Sequence, residues 1–371
     1  MTRFIALFLL GVAGMPLAIA HKPSDAYLTI ERTDDAIRGR LDIALRDLEL
    51  AIGLDANGDG EITWGEVRRS HDAIAALAIR NVSVTASHRP CPLTVTGHRI
   101  DRHTDGAYAV VDLAGRCEAR GTLAIDYKLL FDVDPQHRGL ANVVDDGASR
   151  ALVLSVDRPR AVVTGSGRVE QFTAYVREGA LHIVTGFDHL LFLVGLLLPA
   201  VLVRIGREWQ PVASARAVAL DVLTVVTAFT VAHAITLTLA TLKWIAVPSR
   251  VAESIVALSI VAAALNNVRP VVRARWGVAF AFGLVHGLGF AHVLAGLNLT
   301  RDVLLLALVA FNLGVELGQL AVAIVWLPLA YMMRGTRVYR GFVLIGGSLV
   351  IAFLGLGWFV ERAFGVSMLP G

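Results

Sequence analysis

The sequence predicts a two-part protein: an all-β, sandwich-like exported domain with a calcium-loop insertion, followed by an all-α bundle of six transmembrane helices. Of the 371 residues, 55% are hydrophobic and only 18% are charged, whereas soluble domains carry about 25% charged residues. The polarity is also uneven, because residues 21–165 are mixed and residues 181–362 form long apolar runs. The basic residues behind the formal charge of +3 are scattered in short loops, which argues against nucleic acid as a partner.

Residues 1–20 are predicted to be a signal peptide. Arg3 supplies the positive start, an apolar core follows, and the small residues Ala18 and Ala20 mark a cleavage site. The apolar core is too short for a membrane span, which needs about 20 residues. The mature chain would begin at His21, whose imidazole and free amine could chelate a metal, although such a histidine more often only marks the cleavage point.

Residues 21–165 are predicted to form the exported domain. Short runs of alternating or β-branched residues, separated by turn residues, predict an antiparallel sandwich. Residues 26–50 and 80–157 are predicted to form strands, and the runs that carry this prediction are 27–30, 82–85, 93–96, 108–112, 123–127 and 151–155. Cys91 and Cys117 are the two cysteines of the chain, and in an oxidising compartment they predict one disulfide. A two-cysteine metal site is the alternative, but neither cysteine has a CxxC partner or a nearby histidine.

Residues 55–66 match the twelve-residue calcium loop position by position. Side-chain oxygens are expected at positions 1, 3 and 5, a glycine at the sharp turn, a carbonyl at position 7 and a bidentate carboxylate at position 12. The residues in these places are Asp55, Asn57, Asp59, Gly60, Glu61 and Glu66. A helix-like stretch follows from residue 66 to 77. A structural Ca²⁺ of weak affinity is therefore predicted, and an acidic turn rich in Asp and Gly is the simpler alternative.

A linker or interfacial segment, 166–180, precedes six apolar segments that are predicted to span the membrane. The segments are 181–203, 217–242, 251–268, 276–297, 303–333 and 341–359, and residues 363–371 form a tail. Arginines are concentrated in the loops after the first, third and fifth segments, which predicts that these loops are cytoplasmic. The opposite loops hold only Lys243, Arg250 and Arg301, and Arg362 follows the last segment. The exported domain and the carboxyl terminus would then lie in the periplasm, with the helices in the inner membrane of a bacterium.

Polar side chains within these spans are the predicted functional residues, because each is unfavourable in lipid without a partner or cavity. They are His182, Asp188, His189, His233, Glu253, His286, His292 and Glu316. Imidazole and carboxylate without thiolate suit Ni²⁺, Co²⁺ or Zn²⁺. On a straight helix His182 and His189 would be about 10 Å apart, too far for one ion, unless Gly186 breaks the helix. Threonines and asparagines on neighbouring faces are alternatively explained as contacts between helices.

Several segments resemble the HupE/UreJ family of membrane proteins, in particular its longer branch with an exported domain. They read HIVTGFDHLLFL, TAFTVAH, ESIVALSI, FGLVHGLGFA and FNLGVELGQ. The resemblance implies nickel or cobalt permeation, with His182, Asp188, His189, His286 and His292 in the family's motif positions. It also implies a periplasmic metal donor or a maturation system for a nickel enzyme as a partner. Ile183 follows His182 where the shorter relatives have proline.

The expected function is therefore a permease rather than an enzyme, with lipid and divalent metal ions as its partners. No GxxxxGK[ST] segment occurs in the sequence, which excludes ATP hydrolysis by that loop. Two alternatives stay open. An intramembrane zinc hydrolase would need three ligands in one closed site with an adjacent base, and a non-transporting scaffold would hold no metal in the bundle.

Overall fold

A computed structural model describes residues 24–103, 106–145, 148–163, 168–206, 208–296, 299 and 301–364. The predicted signal peptide, His21 and residues 365–371 of the tail lie outside these residues. Within helix 275–296 the backbone is described up to residue 296 but the side chains only up to residue 289, so the position of the His292 side chain is not part of the description.

The amino-terminal region is rich in β-structure and contains two sheets. The larger sheet has six strands in the order β5-β6-β2-β1-β8-β9, and the smaller has four in the order β10-β7-β3-β4. The strands are β1 (Asp25–Thr33), β2 (Ala36–Ala44), β3 (Val82–Ala86), β4 (Arg89–Cys91), β5 (Leu93–His103), β6 (Gly106–Arg116), β7 (Leu123–Tyr127), β8 (Arg138–Asp145), β9 (Ala148–Leu154) and β10 (Arg160–Val163). Apolar side chains from both sheets form one buried cluster.

The prediction of an antiparallel sandwich is wrong in one respect, because β1 and β8 pair in parallel. Parallel strands need a long crossover rather than a hairpin, and here most of the domain lies between the two strands. Residue alternation gives the face that a side chain occupies but not the direction of the neighbouring strand. The predicted disulfide is confirmed, since Cys91 and Cys117 are bonded.

The amino-terminal β-rich region is not all-β, since its described residues include three short helices that flank the predicted calcium loop. They are α1 (Leu45–Ile52), α2 (Trp64–Arg69) and α3 (His71–Asn81). Residues 45–50 were predicted as strand, but their apolar side chains follow helical spacing, and Leu45 and Leu48 are buried on one face. The helix expected after the loop is present and is divided at Ser70.

The carboxyl-terminal region is helical, with one small hairpin. The helices are α4 (Arg168–Thr185), α5 (Phe187–Leu197), α6 (Ala215–Thr241), α7 (Ser249–Val268), α8 (Arg275–Gly296), α9 (Arg301–Met333) and α10 (Gly347–Phe364), the last preceded by a π-helical segment, Tyr339–Gly346. The hairpin of β11 (Leu202–Ile205) and β12 (Glu208–Pro211) follows α5. It begins at the end of the first predicted span, 181–203, and extends into the predicted loop after it.

Four helices among the described residues are long and apolar enough to cross a membrane: Ala215–Thr241, Ser249–Val268, Val303–Met333 and Tyr339–Phe364. The pair α4 and α5 counts as a fifth if it is one broken span. The count of six therefore stays a prediction. Residues 168–180, within the segment expected to be a linker or an interfacial segment, form most of α4. This helix packs closely against α9, where a Cβ on Gly318 would lie 2.9 Å from the carbonyl oxygen of Ala180.

Candidate metal path in the helical region

The first predicted span is broken where the sequence allowed a break. Gly186 is extended between α4 and α5 (φ −77°, ψ 100°), and the two helix axes meet at 73°. His182 lies in the last turn of α4 and His189 in the first turn of α5, and their ring centroids are 4.4 Å apart. On a continuous helix seven residues would separate them by about 10 Å. The break therefore brings the two imidazoles into direct contact.

Asp188 holds the His189 ring in one orientation. Its Oδ1 lies 2.7 Å from His189 Nδ1 and accepts a hydrogen bond of 2.8 Å from the His189 backbone amide. An ionised carboxylate only accepts hydrogen bonds, so His189 Nδ1 carries the proton. His189 Nε2 is then left with a lone pair, and it is buried without a hydrogen-bond partner among the described residues. A carboxylate behind an imidazole in this way is typical of metal-binding histidines.

His286 on α8 presents a second lone pair. Its ring centroid is 5.2 Å from that of His189, and its Nε2 lies 2.9 Å from Ser259 Oγ on α7. The single hydroxyl proton of Ser259 is donated to the carbonyl oxygen of Val256 at 2.6 Å, so His286 Nε2 must be the donor toward Ser259. The lone pair of His286 is then on Nδ1, which is buried without a partner among the described residues.

His233 on α6 follows the same rule. Its Nδ1 lies 3.0 Å from Asn312 Oδ1, and Asn312 Nδ2 donates to the carbonyl oxygen of Leu308 at 2.8 Å. This second bond fixes the amide orientation, so Oδ1 accepts and His233 Nδ1 donates. His233 Nε2 is the remaining lone pair, again buried and without a partner in the described part of the chain. Phe229 contacts the rings of both His233 and His286, at centroid distances of 6.0 and 5.3 Å.

Three polar pairs connect α6 with α9 in the described residues and include two of the predicted site residues, His233 and Glu316. Thr227 Oγ1 donates to Glu316 Oε1 at 2.7 Å, and Thr230 Oγ1 donates to Gln319 Oε1 at 3.2 Å. The pair of His233 and Asn312 is the third. Glu316 is therefore hydrogen-bonded across two helices. The alternative explanation of the threonines and asparagines as contacts between helices describes the observed bonds of Thr227, Thr230 and Asn312.

Glycines set the close approach of α8 to α6. A Cβ on Gly287 would collide with the carbonyl oxygen of His233 and with Thr236 Oγ1, and a Cβ on Gly283 would lie 2.5 Å from the carbonyl oxygen of Phe229. Small residues at these positions let the two backbones pack closely. His286 and His233 face a common aromatic neighbour because of this approach.

Arg362, near the end of α10, is a site residue that the sequence interpretation missed. Its Nη2 lies 3.5 Å from Asp188 Oδ2, and its Nε lies 4.0 Å from Glu253 Oε2 on α7. Glu253 therefore meets the cluster through Arg362. In the sequence Arg362 served only as a basic residue beyond the last span. The signal that could have found it is its position at the end of an apolar helix, where a charge requires a partner.

Asp42, Asp101 and His103 bring ligand atoms within 4.8 Å of one another, the one such group of three acidic, histidine or cysteine residues in the described residues. Arg40 already binds this group: its Nη2 lies 2.7 Å from Asp42 Oδ2 and 2.7 Å from Asp101 Oδ2. His103 Nε2 lies 2.9 Å from Asp42 Oδ2. Burial acts to raise the pKa of Asp42, but the hydrogen bonds from His103 and Arg40 outweigh it and lower the pKa. We interpret the group as an ion-pair network.

The predicted calcium loop forms a turn in which Asp55 binds backbone amides of its own loop. Asp55 Oδ1 accepts from the amide of Gly58 at 2.7 Å, and Oδ2 accepts from Gly60 at 2.8 Å. These bonds, that from Gly60 first, lower the pKa of Asp55 below its usual value. Both glycines have positive φ, 73° and 80°, which most other residues disfavour. The turn expected at Gly60 is therefore present.

Glu66 joins the two ends of the loop. Its Oε2 accepts from the amide of Thr63 at 2.8 Å, and its Oε1 accepts from the amide of Ala56 at 3.2 Å. The bond from Thr63 is the main cause that lowers the pKa of Glu66. The last acid of the loop therefore lies beside its first positions. Asn57, Asp59 and Glu61 are exposed, and Ca²⁺ binding by the loop stays a prediction.

These features define a multi-pass membrane protein with an amino-terminal β-rich region and a buried histidine cluster between its helices. The chain belongs to the HupE/UreJ family, since the family model described as HupE / UreJ protein matches residues 158–362. The predicted family is thereby confirmed, and the match covers the helices that carry the cluster. The family is associated with nickel and cobalt transport. No curated protein matches the chain.

Proposed function

We propose that this protein is a permease for a divalent transition-metal cation, nickel or cobalt. The observation that carries the proposal is the arrangement of three buried imidazoles. His189, His233 and His286 each have one ring nitrogen in a hydrogen bond, and the other is buried with a lone pair and has no partner among the described residues. Buried polar atoms without partners are unfavourable, and a passing cation would satisfy them.

The type of ligand supports nickel or cobalt. Neutral imidazole with a carboxylate behind it suits borderline divalent ions, whereas soft ions such as Cu⁺ prefer thiolate or thioether. The two cysteines of the chain are bonded to each other in the exported region, so thiolate is not offered to the ion. The family's association with nickel and cobalt supports the same choice.

The spacing of the histidines supports a path rather than a closed catalytic site. The ring centroids of His182 and His189 are 4.4 Å apart, and those of His189 and His286 are 5.2 Å apart. The ring of Phe229 contacts both His286 and His233. Among the described residues, no three ligand atoms of this cluster all lie within 4.8 Å of one another. A zinc hydrolase needs three ligands on one ion, so this alternative is less well supported than stepwise transfer.

We further propose that the β-rich region and the carboxyl terminus lie in the periplasm of a bacterium, and that the helices lie in its inner membrane. The support is the predicted signal peptide, the arginine-rich loops after the first, third and fifth predicted spans and the disulfide, which is typical of an oxidising compartment. In this orientation His182 and Asp188, near the start of the first span, would meet the ion first. A structural Ca²⁺ in loop 55–66 belongs to the same proposal.

The test is uptake of radiolabelled Ni²⁺ and Co²⁺ into cells that produce the wild type, His189→Asn or His88→Asn. His88 lies in an exposed turn of the exported region and serves as the matched control. We expect His189→Asn to lower uptake about tenfold or more, since asparagine does not replace an imidazole nitrogen, and His88→Asn to leave it unchanged. Membrane levels must be equal. Absence of uptake of either ion by the wild type would contradict the proposal, and zinc content and hydrolase activity would then be measured.

A further inference from the structure

Asp188 is shared between a histidine and an arginine. Its Oδ1 is bound by the amide and Nδ1 of His189, at 2.8 and 2.7 Å, and its Oδ2 faces Arg362 Nη2 at 3.5 Å. The carboxylate that orients a metal-binding imidazole therefore also attracts a cation that is part of the chain. An incoming metal ion and Arg362 are drawn to the same negative charge.

The guanidinium of Arg362 is held loosely. The ion-pair distances of 3.5 Å to Asp188 and 4.0 Å to Glu253 exceed the 2.7–2.9 Å of a strong charge-assisted hydrogen bond. Its Nη1 is buried and has no hydrogen-bond partner among the described residues. The ring of Trp358, one turn earlier, has its centroid 5.9 Å from the guanidinium carbon. Such a side chain can leave Asp188 without breaking short hydrogen bonds.

The backbone beneath this side chain is firmly anchored. Arg250, at the start of α7, donates from Nε to the carbonyl oxygen of Arg362 at 3.1 Å and from Nη2 to that of Ala363 at 2.7 Å. The end of α10 is thus fixed to the helix that carries Glu253. Any displacement of the charge must come from the Arg362 side chain, which would return to the same place afterwards.

We propose that Arg362 is a tethered cation that competes with the transported metal ion for Asp188 and so sets both the affinity of the first site and the rate of release from it. The inference rests on the proposed permease function. Asp188, Glu253 and Arg362 together carry a formal charge of −1. A divalent ion added beside Arg362 would change the net charge of this group from negative to positive. An ion that binds at Asp188 must therefore displace the guanidinium, and the guanidinium in turn promotes its departure toward His286.

This arrangement also favours divalent over monovalent ions. A monovalent cation has no Coulomb advantage over the guanidinium at Asp188, whereas a divalent ion has about twice its attraction at the same distance. Arg362 is thus a specificity-determining residue that acts through Asp188.

The experiment compares the purified full chain as wild type, Arg362→Gln, Arg362→Met, Arg362→Lys and Arg337→Gln. Arg337 is exposed on the segment after α9, so its replacement removes the same charge far from Asp188. Equilibrium dialysis gives the Kd for Ni²⁺ and for Co²⁺, and the absorption spectrum of bound Co²⁺ reports its ligands. Uptake into cells gives KM and the maximal rate for the same variants.

We expect Arg362→Gln and Arg362→Met to bind Ni²⁺ and Co²⁺ about tenfold more tightly, the effect of removing a partly buried charge at this distance. Their uptake should show a lower KM and a lower maximal rate. Arg362→Lys and Arg337→Gln should remain within about threefold of the wild type. The methionine stem can pack beside Trp358, so this variant keeps the test open if Arg362→Gln does not fold.

A merely structural role for Arg362 predicts the opposite sign. If the wild type binds metal and folded Arg362→Gln or Arg362→Met binds equally or more weakly, the competition proposal is overturned and the permease proposal stands. If the wild type binds neither Ni²⁺ nor Co²⁺, both proposals are overturned together. Tighter binding with an unchanged maximal rate would overturn the part that concerns release.

Discussion

The imidazoles of His182 and His189 are in contact, with centroids 4.4 Å apart, although they belong to two helices that meet at 73°. The contact depends on Gly186, where a Cβ would lie 2.6 Å from the carbonyl oxygen of His182 and 3.1 Å from His189 Nδ1. Because Gly186 has no side chain, the two helices can bend here. This residue therefore determines whether His182 and His189 are adjacent or separate.

Replacement of Gly186 by alanine should separate the two histidines. The added methyl group is relieved if the residue joins a continuous helix, which would move the rings toward the roughly 10 Å of a straight helix. We expect Gly186→Ala to lower uptake of Ni²⁺ or Co²⁺ about tenfold or more. The control is Gly357→Ala on α10, where a Cβ would meet nothing within 4 Å. Wild-type uptake by Gly186→Ala would contradict a role for the break.

Replacement of Gly287 by alanine should move α8 away from α6. The new Cβ would collide with the backbone of His233, and overpacking of this kind costs about 1–3 kcal/mol. The variant should have a lower unfolding temperature in detergent and weaker Co²⁺ binding. Gly289→Ala is the matched control two residues along the same helix, because its Cβ would have open space. Equal stability of the two variants would show that the close approach is unimportant.

The amino-terminal β-rich region should lose stability as the pH falls from about 6.5 to about 4. Burial, the main cause, lowers the pKa of His137 to about 4, while in the unfolded chain a histidine has a pKa near 6.5. Between these values the unfolded state binds a proton that the folded state does not, so unfolding becomes easier by up to about 3 kcal/mol. In the fold, Ser24 Oγ lies 2.5 Å from His137 Nδ1 and Tyr127 Oη 2.7 Å from Nε2.

Hydrogen exchange of the β8 amides in the full chain, corrected for the intrinsic rate at each pH, measures this effect. His137→Gln should flatten the pH dependence between pH 6.5 and 4, at some loss of stability at pH 7. His88→Gln, in an exposed turn, should keep the wild-type dependence. A wild-type slope in His137→Gln would assign the effect to other groups.

Calcium should stabilise loop 55–66. For a site with Kd between about 0.1 and 1 mM, as in extracellular modules, 10 mM Ca²⁺ would raise the free energy of unfolding of the loop by about 1.4–2.7 kcal/mol. Protection of the loop amides against hydrogen exchange should therefore rise when Ca²⁺ is added and fall on chelation. This response should be absent in Asp55→Asn. Asp72→Asn changes an exposed acid in the first turn of α3 and should respond like the wild type. A Ca²⁺ response that persists in Asp55→Asn would contradict the assignment.

Much of the architecture follows from local patterns in the sequence. Alternating apolar and polar residues predicted the strands, and long apolar runs predicted the membrane helices. The expectation of an oxidising compartment predicted the disulfide between Cys91 and Cys117. Strand direction could not be predicted in the same way, because the parallel pairing of β1 with β8 depends on contacts between residues more than a hundred positions apart. The helix α1 was missed because its apolar pattern is short and fits both the two-residue period of a strand and the 3.6-residue period of a helix.

The candidate site was predictable in its composition but not in its connections. His182, Asp188, His189, His233 and His286 were recognised because polar groups are rare in apolar spans. The size of the bend at Gly186 depends on packing, which no motif encodes. Arg362 escaped notice because a basic residue beyond a span already has an explanation in membrane topology, and only its position beside Asp188 gives it a second role.

The three polar pairs between α6 and α9 restrict how the bundle can move. A slide of one helix along the other by one turn, 5.4 Å, would break the bonds of Thr227 with Glu316, of Thr230 with Gln319 and of His233 with Asn312 at the same moment. Together these bonds oppose such a slide and hold α6 and α9 in one register.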